Sequence, residues 1–270
     1  MTLHLTKHHG LGNDFLVTFH PDVAEADLAE LARTLCDRRR GIGADGLLIG
    51  ESAPGHAARM VLYNADGSRA EMSGNGIRCF AQALAMRRGT VEQPDLAEQV
   101  ILTDAGDRLV TFEPAESPGS VLASVDMGEV GQLAAPAAWE SLGCHDDRPV
   151  AHLSLGNPHS VVGVDDVDPV DLVALGTKVP TVNLEIVAPG RSQHEVRMRV
   201  HERGVGVTEA CGTGAAAAAF AAARWGLATP RDGKLTVIMD GGRATVTLDR
   251  PAAGRVTLTG PATYIASITI

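Results

Sequence analysis

The strongest constraint on the fold is an internal echo. Gly12-Asn13-Asp14-Phe15 stands before a strand-like stretch in the first half of the chain, and Gly156-Asn157-Pro158-His159 stands before one in the second. Ser73-Gly74-Asn75-Gly76 opens a helical stretch in the first half, and Cys211-Gly212-Thr213-Gly214 opens one in the second. Both pairs lie about 140 residues apart and in the same order, which is the mark of a duplicated unit. A single Gly-Asn echo arises easily by chance, but two in register predict two similar domains. They read as residues 1–130, carrying Ser73, and 131–262, carrying Cys211, with segment 263–270 a candidate to return to the first domain. The length of 270 residues agrees with two domains of about 150 residues each. A duplicated fold commonly places a site in the cleft between its copies.

Strand-like stretches dominate, from 3–6 and 15–19 through 182–187 and 195–201 to 264–270. Several alternate cleanly: Val196, Met198 and Val200 sit between charged neighbours, the pattern of a half-buried antiparallel strand. Three helices are expected, over 22–39, 75–88 and 212–225; the last two stop at Gly89 and Gly226, the usual C-terminal caps. Few strands are separated by helices, so the fold class is α+β with mostly antiparallel sheets rather than a parallel βαβ sheet. Segment 113–120 reads as a loop and 131–149 as the linker.

Composition narrows the function. Hydrophobic residues make up 44%, enough for a core, but only five Phe, two Trp and two Tyr are present. With so few rings and a net charge of -10, neither base stacking nor a phosphate-binding footprint is expected, so nucleic acid is not a predicted partner. Residues 1–14 lack the apolar core of a secretory signal, and the uncharged run 214–223 is too short to span a bilayer, so a soluble, cytoplasmic protein with no membrane partner is expected. Cys36, Cys79, Cys144 and Cys211 show no C-x-x-C spacing, and the histidines, His8-His9 included, lack metal-ligand spacing and read as surface; no metal or cofactor is expected.

Cys211-Gly212-Thr213-Gly214 carries the most chemistry. A cysteine at a helix start sits beside unpaired N–H groups and the positive end of the helix dipole, so its thiol is expected below the reference of about 8.5. The same N–H groups can hold a carboxylate, and the glycines let a ligand approach. Read locally, the motif fits a small buried Cys in a tight turn equally well. The matching turn at Ser73 shifts the balance. Two helix N-termini aimed at one point would hold an amino acid's carboxylate and set residues 73 and 211 on opposite faces of its α-carbon, a geometry for stereochemical inversion.

The strings His9-Gly10-Leu11-Gly12-Asn13-Asp14-Phe15, Asn64-Ala65-Asp66-Gly67-Ser68, Gly74-Asn75-Gly76-Ile77-Arg78-Cys79, Gly156-Asn157-Pro158-His159, Val182-Asn183, and Glu202-Arg203-Gly204 with Ala210-Cys211-Gly212-Thr213-Gly214 resemble diaminopimelate epimerase, in that order and over nearly the whole chain. The resemblance implies two pseudo-symmetric domains, each a sheet wrapped around a central helix. It also implies interconversion of LL- and meso-2,6-diaminopimelate without metal or pyridoxal phosphate, serving lysine and peptidoglycan synthesis, by a homodimer. Asn13, Asn64, Asn157, Asn183 and Arg203 would hold the distal end of the substrate. Gly74, Asn75, Gly212 and Thr213 would cradle the reacting carboxylate. Glu202 would pair with an ammonium and, with His159, adjust the ionisation of the catalytic pair.

The family uses two cysteines, one thiolate removing the α-proton and one thiol returning a proton from the other side. Cys211 matches one; the other falls on Ser73. A hydroxyl is a far weaker acid than a thiol and a poor base without a partner. Cys79 is no substitute, because its helical position is about 9 Å from the helix start. Three accounts stay open: an engineered change, a natural Ser/Cys epimerase acting on this or another amino acid, or an inactive amino-acid-binding paralogue.

Overall fold

The computed structural model describes residues 2–249 and 254–270. Two units emerge, Met1–Val125 with Gly260–Ile270, and Asp126–Thr259. Unit 1 contains strands β1 (His4–Gly10), β2 (Asn13–Phe19), β3 (Gly46–Glu51), β4 (Ala58–Asn64), β5 (Arg69–Ala70), β6 (Gln99–Thr103) and β7 (Gly106–Pro114). The long strand β8 (Ser120–Glu129) leaves unit 1 and enters unit 2, which adds β9 (Gly131–Gln132), β10 (Val150–Ser154), β11 (Pro158–Gly163), β12 (Asn183–Pro189), β13 (Glu195–Glu202), β14 (Gly206–Thr208), β15 (Lys234–Met239) and β16 (Gly242–Asp249). A second long strand, β17 (Arg255–Thr269), leads the chain back. The α-helices are α1 (Leu28–Cys36), α2 (Gly74–Arg88), α3 (Leu172–Gly176) and α4 (Gly212–Trp225).

The two units share one plan. In unit 1, β1–β2 is antiparallel, β2–β3 parallel, β3–β4 antiparallel, β4–β6 parallel and β6–β7 antiparallel. In unit 2, β10–β11, β11–β12, β12–β13, β13–β15 and β15–β16 repeat those senses in the same order. The ring of unit 1 is completed by β7–β8 and β17–β1 and that of unit 2 by β16–β17 and β9–β10, with β8 pairing β17. Each parallel step has a crossover: α1 between β2 and β3, α3 between β11 and β12, α2 before β6 and α4 before β15.

Inside each ring lies one helix. The helix α4, GTGAAAAAFAAARW, is buried on every side from Gly212 to Ala222, as a helix apolar all round must be. Its alanines let six strands approach it. Helix α2 is buried from Gly74 to Met86, with Arg78 and Gln82 among the buried residues. Gln82 donates to Gly119 O at 2.8 Å, and its Oε1 meets His8 Nδ1 at 2.9 Å. His8 is therefore no surface residue: it is fully buried, and desolvation drives its pKa down to about 4, against the weaker pull of the Gln82 bond. A register shift between Lys7 and His8 breaks the alternation of β1, so that Leu5 and then His8 and Gly10 are buried, which period-two reading of the sequence would not show.

The expected helix over 22–39 is shorter. A 3-10 turn, Glu25–Asp27, precedes α1, and Asp37 ends it by accepting the N–H groups of Arg39 (2.7 Å) and Arg40 (2.9 Å), a side-chain bond that competes with helix continuation. Strand β3, GLLIGE, has no counterpart among the expected strands. It is buried on both faces and does not alternate, and its glycines are contact points: a Cβ at Gly50 would lie 2.2 Å from Phe19. Among the described residues no helix is long and apolar enough to cross a membrane.

Candidate active site

Each unit builds the same local device at the start of its central helix. Ser73 caps α2 in extended conformation, its Oγ accepting the Gly76 N–H at 3.0 Å. Cys211 caps α4 in the same conformation, its Sγ accepting the Gly214 N–H at 3.4 Å. Both side chains thus satisfy one of the free N–H groups of the first turn. The turns ahead of β2 and β11 also match, with Gly12 and Gly156 at φ 87° and 89°, a region that glycine enters at no steric cost. From these turns an amide reaches the helix in each unit. Asn75 Nδ2 donates to Asn13 Oδ1 at 3.2 Å, and Asn157 Nδ2 donates to Thr213 Oγ1 at 3.2 Å.

Around this common device the units differ. In unit 1, Asn13 Nδ2 donates to Asp45 at 2.7 Å, and Asp45 joins Asp14, Lys7 and Arg38 in an ion-pair network. Burial opposes the Asp14 charge, yet Arg38 and Lys7 prevail and hold its carboxyl below the usual range. Arg78, wholly buried, donates to Gly74 O (2.9 Å), Asn75 Oδ1 (2.6 Å) and Pro261 O (3.3 Å), which fixes the first turn of α2; desolvation lowers its pKa to about 10. Asn64 donates to Ser68 Oγ at 3.0 Å, and the adjacent Ala65 N–H donates to Asp45 O at 3.0 Å. Among the described residues, neither an imidazole nor a carboxylate is hydrogen-bonded to Ser73 Oγ. Cys79 is buried, and desolvation pushes its thiol up to about 12, so it is packing.

In unit 2 the predicted residues gather around Cys211. Its Sγ lies 3.5 Å from Thr213 Oγ1. Asn157 Oδ1 meets His159 Nε2 at 2.9 Å, and His159 Nδ1 meets Glu185 Oε1 at 2.6 Å, both side chains fully buried. Glu202 accepts from Thr208 Oγ1 at 2.5 Å and also engages Cys211; desolvation raises the pKa of its carboxyl, with these two bonds opposing. Asn183 Oδ1 accepts the Arg203 N–H at 2.8 Å, while Arg203 itself is exposed.

The expectation of a depressed thiol at Cys211 is corrected. Burial lifts it well above its ordinary value, Glu202 and Glu185 push the same way, and the bonds from Thr213 and the Gly214 N–H offset only part. A helix start favours a thiolate only where water or a cation supports the charge, and here two carboxylates act on the buried sulfur instead. Glu185 was missed by sequence reasoning, although a lone charge in the apolar run Asn183–Pro189 marks it. Arg78 and Asp45 were missed as well, since mid-helix and loop charges are usually solvated.

A family model for diaminopimelate epimerase matches residues 5–132 and 152–265. Among similar proteins, the diaminopimelate epimerase of Rhizorhabdus wittichii is 36% identical, with 98% of this chain and 94% of that protein covered. The diaminopimelate epimerase of Magnetococcus marinus is 37% identical, with 96% and 94% covered. The crystal structure of the Bacillus anthracis PhzF-family phenazine biosynthesis protein has the same fold at 16% identity, with a TM-score of 0.74 over 100% of this chain and 99% of that one. Its fold being of that type and its sequence matching along nearly its full length, this chain belongs to the diaminopimelate epimerase family and is an isomerase.

Proposed function

We propose that this chain interconverts LL- and meso-2,6-diaminopimelate, supplying lysine and peptidoglycan synthesis, with Cys211 and residue 73 acting on one α-carbon from opposite sides. The observation that carries the reading is the repeated helix start, with an acid–base cap at residues 73 and 211 and the N–H groups of Gly74-Asn75 and Gly212-Thr213 beside them. Those N–H groups receive the α-carboxylate and, as charge develops on the carbanion, stabilise it. Asn13, Asn64, Asn157, Asn183, Glu202 and Arg203 hold the second amino-acid end, amides suiting a group that presents ammonium and carboxylate together. In the step the Cys211 thiolate takes the α-proton, and the Ser73 hydroxyl gives a proton to the opposite face. The resulting thiol and alkoxide return to the starting state by proton exchange with water. On this reading acid and base are the chain's own side chains, and the protein works in the cytoplasm as a homodimer, the commonest symmetric assembly.

The weak member is Ser73, whose hydroxyl is hydrogen-bonded to no imidazole or carboxylate among the described residues. The test is α-proton exchange of LL- or meso-diaminopimelate in deuterated water by this chain and by Ser73→Cys. Label entry is expected with both, at least ~100-fold faster with the cysteine. If neither exchanges label, the enzyme reading fails. The lack of a base at Ser73 favours one second reading, a diaminopimelate-binding protein without turnover. It requires saturable binding in calorimetry and no exchange even after Ser73→Cys.

A further inference from the structure

Within unit 2, Glu185, His159, Asn157, Thr213 and Cys211 form one unbroken line of contacts at 2.6, 2.9, 3.2 and 3.5 Å. Asn157 gives the line a direction, because an amide donates at one end and accepts at the other. Its nitrogen faces Thr213 Oγ1, so its oxygen faces His159 Nε2, and that ring nitrogen must carry hydrogen. The Thr213 oxygen receives the amide hydrogen and is left to donate its own to the sulfur. At the far side of the ring, Nδ1 meets Glu185 Oε1 at the short length of a charge-assisted bond. An imidazole that donates at both nitrogens would be an imidazolium with Glu185 as its counter-ion.

We propose that Glu185 is the positioning residue of the Cys211 thiol: by holding His159 as a donor at both ring nitrogens, it sets His159 Nε2, the Asn157 amide and the Thr213 hydroxyl to donate in turn toward the sulfur, so that the line favours the thiolate. This rests on the reading of Cys211 as an acid–base residue. Three further features agree. Glu185 Oε2 has no hydrogen-bond partner among the described residues, so the strong contact of that carboxylate is His159. The helix is shaped around it, since a Cβ at Gly214 would lie 2.7 Å from Glu185 Oε1. In unit 1 the residue two places after the leading Asn is Phe15, not His, and its ring lies 3.4 Å from where a Cβ on Gly76 would stand. The duplication has therefore kept the device at both helix starts, and among the described residues it placed a His–Glu pair on the Cys211 side and the Asp45 and Arg78 contacts on the Ser73 side. Glu185 and Glu202 are the titratable groups that interact with His159; the bare charge of Glu185 lifts the thiol, and the donors it orients through His159 act against that lift.

The experiment is nitrogen-15 NMR of the histidine-labelled full chain at pH 7, with His159 assigned by the signals lost in His159→Gln. Both His159 ring nitrogens are expected to be protonated; an unprotonated nitrogen overturns the proposal. In Glu185→Gln one of them should lose its proton, and alkylation of Cys211 by iodoacetamide, followed on its own peptide, should slow at least ~10-fold. An unchanged rate, or the faster one of a loosened fold, overturns it. If Glu185→Gln does not fold, the spectrum of the unaltered chain decides. Neither readout needs turnover, so a chain that exchanges no α-proton but gives these results keeps the dyad and loses the epimerase reading, and the reverse pattern does the opposite.

Discussion

Ser73 and Cys211 show how one position serves two purposes. Each side chain closes the first turn of a buried helix and also sits where that turn concentrates N–H groups. The structural duty is met equally by oxygen and sulfur, so substitution at 73 leaves the cap intact and changes the acid–base chemistry. Glycine at 214 is decided by a neighbour rather than by a turn. Gly214→Ala would drive a methyl against Glu185 Oε1, displacing a buried carboxyl whose Oε2 has no hydrogen-bond partner among the described residues. A loss of about 1–3 kcal/mol is expected in urea unfolding, while Gly204→Ala, in open space but at φ 77°, should cost about 1 kcal/mol through backbone strain alone.

Among elements, the central helices were the most legible, because Ser73-Gly74 and Cys211-Gly212 announce their starts and Gly89 and Gly226 their ends. Their surroundings were less so. Nothing local in GLLIGE separates a strand buried on both faces from a loop, and the end of α1 depends on a side-chain bond of Asp37 rather than on a breaker. The hydrogen-bonded group of His8, Gln82 and Gly119 ties β1 to α2 and sets a pH limit. The folded-state pKa of His8, about 4, lies below the 6.5 of the ordinary residue, so between these values the unfolded chain binds more protons. The contribution is fully present above pH 6.5, falls as pH drops, and is lost below 4; about 2 kcal/mol should disappear between pH 7 and 5. Urea midpoints at those two pH values should therefore differ by more in the unaltered chain than in His8→Gln.

At the scale of the molecule, the repeated order of parallel and antiparallel pairs is stronger evidence of duplication than the short motifs that suggested it. Unit 1 needs both ends of the chain, since β1 pairs with the last part of β17 from His4–Thr269 to His9–Thr263. Deleting residues 261–270 removes that pairing and the Pro261 carbonyl that Arg78 uses. Hydrogen exchange should then show lost protection in β1, β2 and α2, with α4 and β12–β13 retained; uniform loss would mean that the units unfold as one. By itself the sequence determined the α+β class, the two central helices and the family, because caps, alternation and motif order are local properties. Only the tertiary structure decided that His8, Arg78 and Glu185 are buried, and that Cys211 is a lifted thiol rather than a depressed one. Burial and the distance to the nearest charge are set by strands far apart in sequence, and they outweigh what a helix start supplies.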